Sequence, residues 1–109
     1  MVGKVKPLTK ADRIRFEKLH SMPCITCSSV GHEQAGRTTI HHLLSGGRRR
    51  GHQETVPLCV WCHQGVPPFA FTCAEAARNW GPSLARAPNS FRAKYGDDDT
   101  LLRLTNEKL

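Results

Sequence analysis

The spacing of apolar residues predicts a helix near the start of the chain, over residues 10–22. Its apolar positions are Ala11, Ile14, Phe16, Leu19 and Met22. Thr9 precedes this segment and Asp12 lies three residues further on, an acidic variant of the capping box that closes helix N-termini. Pro23, which cannot continue a helix, marks its end.

Two short segments rich in β-branched residues predict strands, over residues 37–41 and 54–58. Pro57 lacks the N–H needed inside a sheet, so we expect the second strand at a sheet edge. Between the strands, residues 45–51 contain three glycines and three arginines and predict a flexible basic loop. The remaining segments predict a tight turn at 24–27, a loop at 28–36, and a knuckle or short helix at 59–63.

The last third of the chain predicts three short helices separated by proline and glycine. A capping box at residues 72–75 opens a helix that ends near residue 81. Asn89 or Ser90 is expected to cap a second helix. Residues 97–99 are acidic, and because acidic side chains interact favourably with the start of a helix, we expect a third helix to follow them.

The composition indicates a small domain with a limited hydrophobic core. The chain has 109 residues, of which nine are Gly, seven are Pro and five are Cys. This length fits a single domain over residues 1–109 and excludes a large multidomain enzyme. Because a core of this size is modest, we expect a metal site or disulfides to stabilise the fold.

The chain also lacks the usual signals for a membrane or for export. It has no apolar run of the ~18 residues that a membrane span needs, and no apolar stretch follows its first charges. We therefore expect a cytoplasmic protein with no membrane partner. In that reducing compartment, cysteines bind metal more often than they form disulfides.

The formal net charge is +7, and the positive excess lies in the first half of the chain. Residues 1–54 hold ten Lys and Arg against four Asp and Glu, whereas residues 55–109 hold six against five. We expect residues 1–9 to form a flexible basic tail. A one-sided basic surface suits a polyanion such as nucleic acid. It also keeps a small protein soluble, and charge alone does not decide between these interpretations.

Two CxxC motifs, Cys24 to Cys27 and Cys59 to Cys62, are separated by 31 residues. Each motif directs two thiolates to one point, and two motifs together complete a tetrahedral zinc site. The alternatives are a chance arrangement of cysteines or a redox CxxC, but two motifs in one short chain favour structural zinc. Cys73 is left over, and we expect it to pack as an apolar residue.

Histidines lie inside and directly beside this cysteine framework. His41 and His42 end the first predicted strand, and His63 follows the last cysteine of the framework. We interpret them as a second metal site, whose neutral imidazoles ligate a divalent cation and leave positions for water and phosphate oxygens. Since adjacent residues at a strand end point in different directions, one of His41 and His42 can face the metal and the other an attacking water. The alternatives are ordinary surface histidines or additional zinc ligands.

One pattern unites these residues along the chain. It consists of the CxxC at 24–27, Ile40-His41-His42-Leu43, Gly47, His52, and the stretch from Val56 to His63. This pattern resembles the HNH endonucleases of the ββα-metal fold. The resemblance implies an α+β protein with a small zinc-stabilised ββα-metal core over residues 24–66. Flanking helices would lie on its N-terminal side and over residues 72–109.

A further resemblance covers residues 12–109. Residues 40–52, 81–85 and 91–96 are similar to phage proteins of the Ref type. Those proteins are recombination-enhancement nucleases that cut DNA together with the RecA recombinase. The resemblance implies metal-dependent hydrolysis of DNA phosphodiester bonds by a protein of phage origin in a bacterial host.

The same resemblance implies roles for individual residues. His42 matches the general base that activates water, and His41 and His63 match ligands of a catalytic Mg²⁺ or Mn²⁺ ion. His52 stands where the family usually has Asn, a residue that orients the loop or assists at the metal. Many family members have Lys shortly after the last His, where this chain reads Gln-Gly, so phosphate contacts are expected from other basic residues. The candidates are Arg37, Arg48, Arg49 and Arg50.

The expected partners are DNA and a RecA filament on single-stranded DNA. We expect a monomer, although the sequence leaves an oligomer open. Two alternative functions fit the same sequence. One is a zinc module that binds DNA without cutting it, and the other is an accessory protein for recombination or packaging.

Overall fold

The computed structural model describes residues 7–109. The predicted tail over residues 1–9 lies mostly outside this range, and residues 7–9 are exposed and without regular structure. The elements of the described part are, in chain order, α1 (Lys10–Ser21), α2 (Ile25–Ser29), β1 (Thr38–His42), β2 (Leu44–Ser45), β3 (Arg48–Arg49), β4 (Thr55–Cys59), α3 (Val60–Gln64), α4 (Cys73–Trp80), α5 (Pro88–Tyr95) and α6 (Asp98–Lys108). The fold is therefore α+β, as the sequence predicts.

Helix α1 begins at the predicted capping box. The Asp12 N–H donates to Thr9 Oγ1 (3.1 Å), and the Thr9 N–H donates to the Asp12 carboxylate (3.0 Å). The buried side of the helix is not the side that its apolar residues predict. Ile14 is 45% exposed, whereas Arg15 is buried. Arg15 is satisfied there by hydrogen bonds that it donates to Thr55 in β4. Helix α1 thus docks partly through polar contacts, which hydrophobic spacing cannot reveal.

The central sheet has two antiparallel strands, β1 and β4. Thr38 lies opposite Cys59 at one end of the pair, and His42 lies opposite Thr55 at the other. Pro57 pairs with Ile40 in a sheet where both strands are edges, in agreement with its predicted position. Helix α3 follows β4 without a linker, so β1, β4 and α3 form a strand–strand–helix unit.

The predicted flexible loop over residues 45–51 is wrong in part, since β2 and β3 form a small hairpin there. The turn between them consists of Gly46 and Gly47, whose φ angles are 58° and 79°. A two-residue turn with positive φ at both positions is the type that joins twisted antiparallel strands, and glycine adopts it without steric cost. The hairpin therefore holds the arginines of this segment on a defined backbone.

The first CxxC motif enters a short helix, whereas the sequence predicted a tight turn. Cys24 is the N-cap of α2, and the Ser28 N–H donates to the Cys24 carbonyl at 2.9 Å. Residues three apart share a face of a helix, so this turn of α2 carries Cys27 towards the same point as Cys24.

The C-terminal helices agree with prediction except at one boundary. Residues 72–75 form the predicted capping box, and Asp97 caps α6 through its carboxylate. Helix α5 begins at Pro88, so the predicted caps Asn89 and Ser90 are wrong. Proline is favoured in the first turn of a helix because that turn leaves its N–H groups unused in any case.

One hydrophobic cluster joins the cysteine region to these helices. It includes Trp61 of α3, Phe91 of α5 and Leu101 of α6, and the half-buried Cys73 packs against it as predicted. The Leu84 N–H also donates to the carbonyl of Cys62 at 2.7 Å. The C-terminal helices therefore cover the cysteine region directly. In the described part of the chain, no helix is long and apolar enough to cross a membrane.

Candidate active site and zinc centre

The four cysteines of the CxxC motifs converge as the sequence predicts. Cys24, Cys27, Cys59 and Cys62 are buried, and their sulfur atoms lie within 4.8 Å of one another. The Cys27 sulfur lies 3.9 Å from that of Cys59 and 3.6 Å from that of Cys62. Four thiolates at about 2.3 Å from a tetrahedral zinc ion are separated by about 3.8 Å. The cluster thus has the donor set and the dimensions of a structural zinc site.

The surrounding backbone supports this cluster. The Cys24 N–H donates to the Gln34 side chain at 2.7 Å, which fixes the start of α2. Hydrogen bonds from the other three thiols lower the pKa of the Cys24 thiol, and the thiolate is the form that binds zinc. Hydrogen bonding with Cys24 and its neighbours raises the pKa of the Cys27 and Cys62 thiols, so a zinc ion that binds here has to displace their protons.

Two histidine pairs lie next to β1, and strand geometry explains their separation. Successive side chains of a strand point to opposite faces, so Thr39 and His41 share one face of β1 and His42 belongs to the other. His63 of α3 meets His41 on the first face, and His52 meets His42 on the second. The structure therefore brings all four predicted site histidines together as two pairs.

The pair of His41 and His63 is oriented by a threonine. His41 Nδ1 lies 3.2 Å from His63 Nε2, and His63 Nδ1 lies 2.8 Å from Thr39 Oγ1. The Thr39 hydroxyl donates its single hydrogen to the Leu58 carbonyl at 2.7 Å, so it must accept a hydrogen from His63 Nδ1. The lone pair of neutral His63 is then on Nε2, which points at His41.

This pair has the properties of two ligands for one cation. Two nitrogen atoms at about 2.1 Å from an ion lie roughly 3 Å apart when the angle between them is near 90°. Burial lowers the pKa of His63, and burial followed by the nearby His63 lowers the pKa of His41 to about 4. Both imidazoles are therefore neutral near pH 7, the form that ligates metal. Among residues 7–109, the four cysteines are the only group of three or more His, Cys, Asp or Glu side chains whose ligand atoms lie within 4.8 Å of one another.

The second pair, His42 and His52, lies beside α1. His42 Nε2 and His52 Nδ1 are 3.1 Å apart, and the Phe16 ring packs edge-on against both imidazoles. Burial lowers the pKa of His42, with further contributions from the positive charge of Arg49 and from His52 and His63. His42 is therefore a neutral imidazole near neutral pH, and it lies close to the Arg49 guanidinium and to His63 of the other pair.

The four candidate arginines occupy different places. Arg48 and Arg49 are exposed on the β-hairpin. Arg50 forms two ion pairs, with Asp99 of α6 at 2.7 Å and with Glu54 at 3.6 Å. Arg37 precedes β1 at the end where Thr38 pairs with Cys59, away from His42 at the opposite end. The charge of Arg49 thus acts on His42, whereas Arg37 lies at the other end of β1, where its carbonyl accepts from the Val60 N–H.

Two side chains at the site are absent from the sequence-based candidates. Thr39 lies two residues before His41, so strand periodicity was a signal that both share a face. Phe16 is distant in sequence, and its spacing in α1 is that of an ordinary core residue. No local pattern connects it to the histidines.

We predict that Thr39→Val weakens binding of a divalent ion at the His41 and His63 pair. The substitution removes the hydroxyl that orients His63, and loss of such an outer hydrogen bond typically costs about 10- to 100-fold in metal affinity. Titration calorimetry with Mn²⁺ on the zinc-loaded protein measures the effect. Thr38→Val is the matched control, because the Thr38 hydroxyl donates to the Met22 carbonyl instead. Equal affinities of the two variants would contradict the orienting role of Thr39.

The fold and the clusters define a small α+β protein with a four-cysteine cluster that could hold zinc, and with paired histidines nearby. The family model for recombination enhancement, RecA-dependent nucleases matches residues 8–109, and the chain therefore belongs to that family. The resemblance to Ref-type nucleases is thereby confirmed at the level of the family. No curated protein matches the chain. The family is one of nucleases, and its name connects them with RecA and with recombination.

Proposed function

We propose that the protein is a metal-dependent HNH-type endonuclease that hydrolyses phosphodiester bonds in RecA-coated DNA. The observation that carries this proposal is the presentation of His42, neutral and hydrogen-bonded to His52, beside the neutral pair of His41 and His63. Membership of a nuclease family supports it. We further propose a phage origin and action in the cytoplasm of a bacterial host.

In this proposal His41 and His63 hold a catalytic Mg²⁺ or Mn²⁺ ion, and the four cysteines hold a structural zinc. When bound, the catalytic ion neutralises negative charge that develops on the phosphate and the leaving oxygen. The chain itself contributes the neutral imidazoles and the Thr39 hydroxyl that orients His63. Two imidazoles would fill only part of the coordination shell of such an ion, and water and phosphate oxygens would supply the rest.

His42 acts as the general base in one of its two tautomers. If His42 Nε2 carries the hydrogen and donates it to His52 Nδ1, the lone pair of His42 Nδ1 is free for water. That nitrogen then takes a proton from the water that attacks phosphorus in line with the 3′ oxygen. The bond from phosphorus to the 3′ oxygen breaks, giving a 5′ phosphate and a 3′ hydroxyl. His52 stabilises the imidazolium that forms, because it accepts the Nε2–H hydrogen bond.

Exposed arginines supply the DNA contacts. Arg48 and Arg49 are exposed on the hairpin and Arg49 lies near enough to His42 to affect its pKa, so these guanidinium groups can bind phosphates close to the cleaved bond. Arg37 contacts the backbone further away, and Arg50 fixes the hairpin to α6 through Asp99. Because these contacts are ionic, DNA binding is expected to weaken steeply as salt increases.

The test is a cleavage assay with single-stranded DNA, duplex DNA and RecA-coated single-stranded DNA, each with Mg²⁺ or Mn²⁺. We expect cleavage that depends on the divalent ion and requires the RecA filament. Equal cleavage of bare DNA would remove the RecA requirement and retain the nuclease. DNA binding without cleavage of any substrate would favour a non-catalytic zinc DNA-binding or accessory protein.

We predict that His52→Asn retains far more cleavage than His52→Leu. An Asn side-chain oxygen can accept the hydrogen from His42 Nε2, whereas Leu leaves His42 without this partner. The loss in His52→Leu is expected to be about 100-fold in single-turnover rate, the scale of a misoriented general base. Rapid-quench kinetics with saturating protein measures that rate. Similar rates for the two variants would mean that His52 does not orient His42.

A further inference from the structure

We propose that Phe16 of α1 is a positioning residue, which holds His42 and His52 in the arrangement that makes His42 a base. This inference rests on the proposed role of His42. Phe16 lies outside the histidine and cysteine motifs, and its ring contacts His42 and His52. It acts only through the two imidazoles that it contacts.

The ring geometry is the first observation. The Phe16 ring centroid lies 5.8 Å from that of His42 and 5.7 Å from that of His52, and both interplanar angles are 86°. The two imidazoles are themselves 5.3 Å apart and inclined by 75°. Edge-to-face packing of this kind is the favoured arrangement of aromatic rings. Rotation of either imidazole would break its contact with Phe16.

The second observation is that α1 is attached to the segment that carries His52. Arg15 donates to the Thr55 hydroxyl (2.9 Å) and to the Thr55 carbonyl (2.6 Å), and the Thr55 hydroxyl donates to the His52 carbonyl (2.9 Å). Gln53 donates to the Asp12 carboxylate at 2.6 Å. These bonds fix the backbone of α1 relative to His52, so the neighbouring Phe16 ring has a fixed place against the pair.

The packing of Phe16 affects the hydrogen bond between His42 and His52. His42 and His52 are half-buried, and if the His42 ring turned, water could replace His52 as its partner. The Phe16 ring closes one side of the pair and presents no group that accepts a hydrogen. It thereby keeps the hydrogen of His42 Nε2 directed at His52, which leaves His42 Nδ1 available as the base.

The kinetic test compares Phe16→Leu with Phe16→Tyr, which keeps the aromatic edge. We expect Phe16→Leu to lower the single-turnover cleavage rate about tenfold with DNA affinity unchanged, since small misplacements of a catalytic group cost rate. Phe16→Tyr should restore most of the rate. Phe91→Leu is the control, because it removes a buried ring that packs against Tyr95 instead. If Phe16→Leu and Phe91→Leu lose equal rate, or neither loses rate, the positioning role is wrong.

A spectroscopic test is independent of DNA cleavage. Long-range ¹⁵N–¹H spectra report which nitrogen of each neutral imidazole carries the hydrogen. In the zinc-loaded wild type we expect one tautomer for His42 and for His52, and in Phe16→Leu an average of two. Unchanged nitrogen shifts in Phe16→Leu would overturn the proposal. If the wild type cleaves no DNA but the tautomers still change, the function proposed for His42 fails while the positioning by Phe16 stands.

Discussion

His42→Ala is expected to reduce the single-turnover rate of DNA cleavage by about 100- to 10,000-fold, without loss of zinc or of thermal stability. A positioned general base contributes rate on this scale, and His42 at the end of β1 is only half-buried, so a smaller side chain leaves the core intact. The measurement is rapid-quench cleavage of RecA-coated DNA with Mg²⁺. Filter binding of the same DNA should give an unchanged affinity, because the loss concerns the chemical step.

His32→Ala provides the matched control for that substitution. His32 is an exposed histidine in the loop after α2, and only its backbone N–H bonds to the cysteine region. This variant should cleave at the wild-type rate. A His42→Ala protein that cleaves within a factor of two of wild type would contradict the assignment of the base, and the other face of β1 would then have to supply it.

Cys62→Ser is expected to release the zinc and to unfold the domain at 25 °C. Structural zinc contributes about 10–16 kcal/mol of apparent binding free energy in small domains, which is comparable with the 5–15 kcal/mol that usually separates folded from unfolded chains. The core that remains without the metal is small. Elemental analysis should find one tightly bound zinc per wild-type chain, and circular dichroism should show loss of the thermal transition in the variant.

Cys73→Ser separates the effect of the metal from that of any cysteine substitution. Cys73 begins α4 and is half-buried, outside the four-sulfur cluster. This variant should retain its zinc and melt within a few degrees of wild type. A Cys62→Ser protein that keeps both zinc and a cooperative melt would mean that the cluster does not hold a structural ion.

Local signals explain which parts of the fold can be predicted from the sequence. The capping boxes at Thr9 and Thr72 act over three residues, and both helices begin there. The CxxC motifs are equally local, and their convergence needs only that two short turns meet. By contrast, the hairpin at Gly46 depends on backbone angles that a run of glycines and arginines does not specify.

The residues of the candidate site also differ in whether the sequence alone can predict them. The pattern of spacings offers His41, His42 and His63 as candidates, since their chemistry and their distance from the cysteines are visible in the chain. The contact of Arg15 with Thr55 joins residues 40 positions apart, and no spacing rule predicts it. The docking of α1 on the histidines is therefore a property of the tertiary structure alone. The proposed dependence on RecA rests on the family resemblance carried by residues 40–52, 81–85 and 91–96 and on the family match, and not on the chemistry of any single residue.

Helix α3 has only five residues, and it carries both Cys62 and His63. An isolated segment of this length does not form a helix in water, because helices shorter than about 12 residues are marginal. Its shape therefore depends on tertiary contacts, which include the buried Trp61, the bond from the Leu84 N–H to the Cys62 carbonyl and the four-sulfur cluster. If the four sulfur atoms hold zinc, as proposed, the bound ion also helps to hold His63 in place, and the zinc-free chain is expected to cut DNA poorly. Zinc loading would then precede nuclease activity.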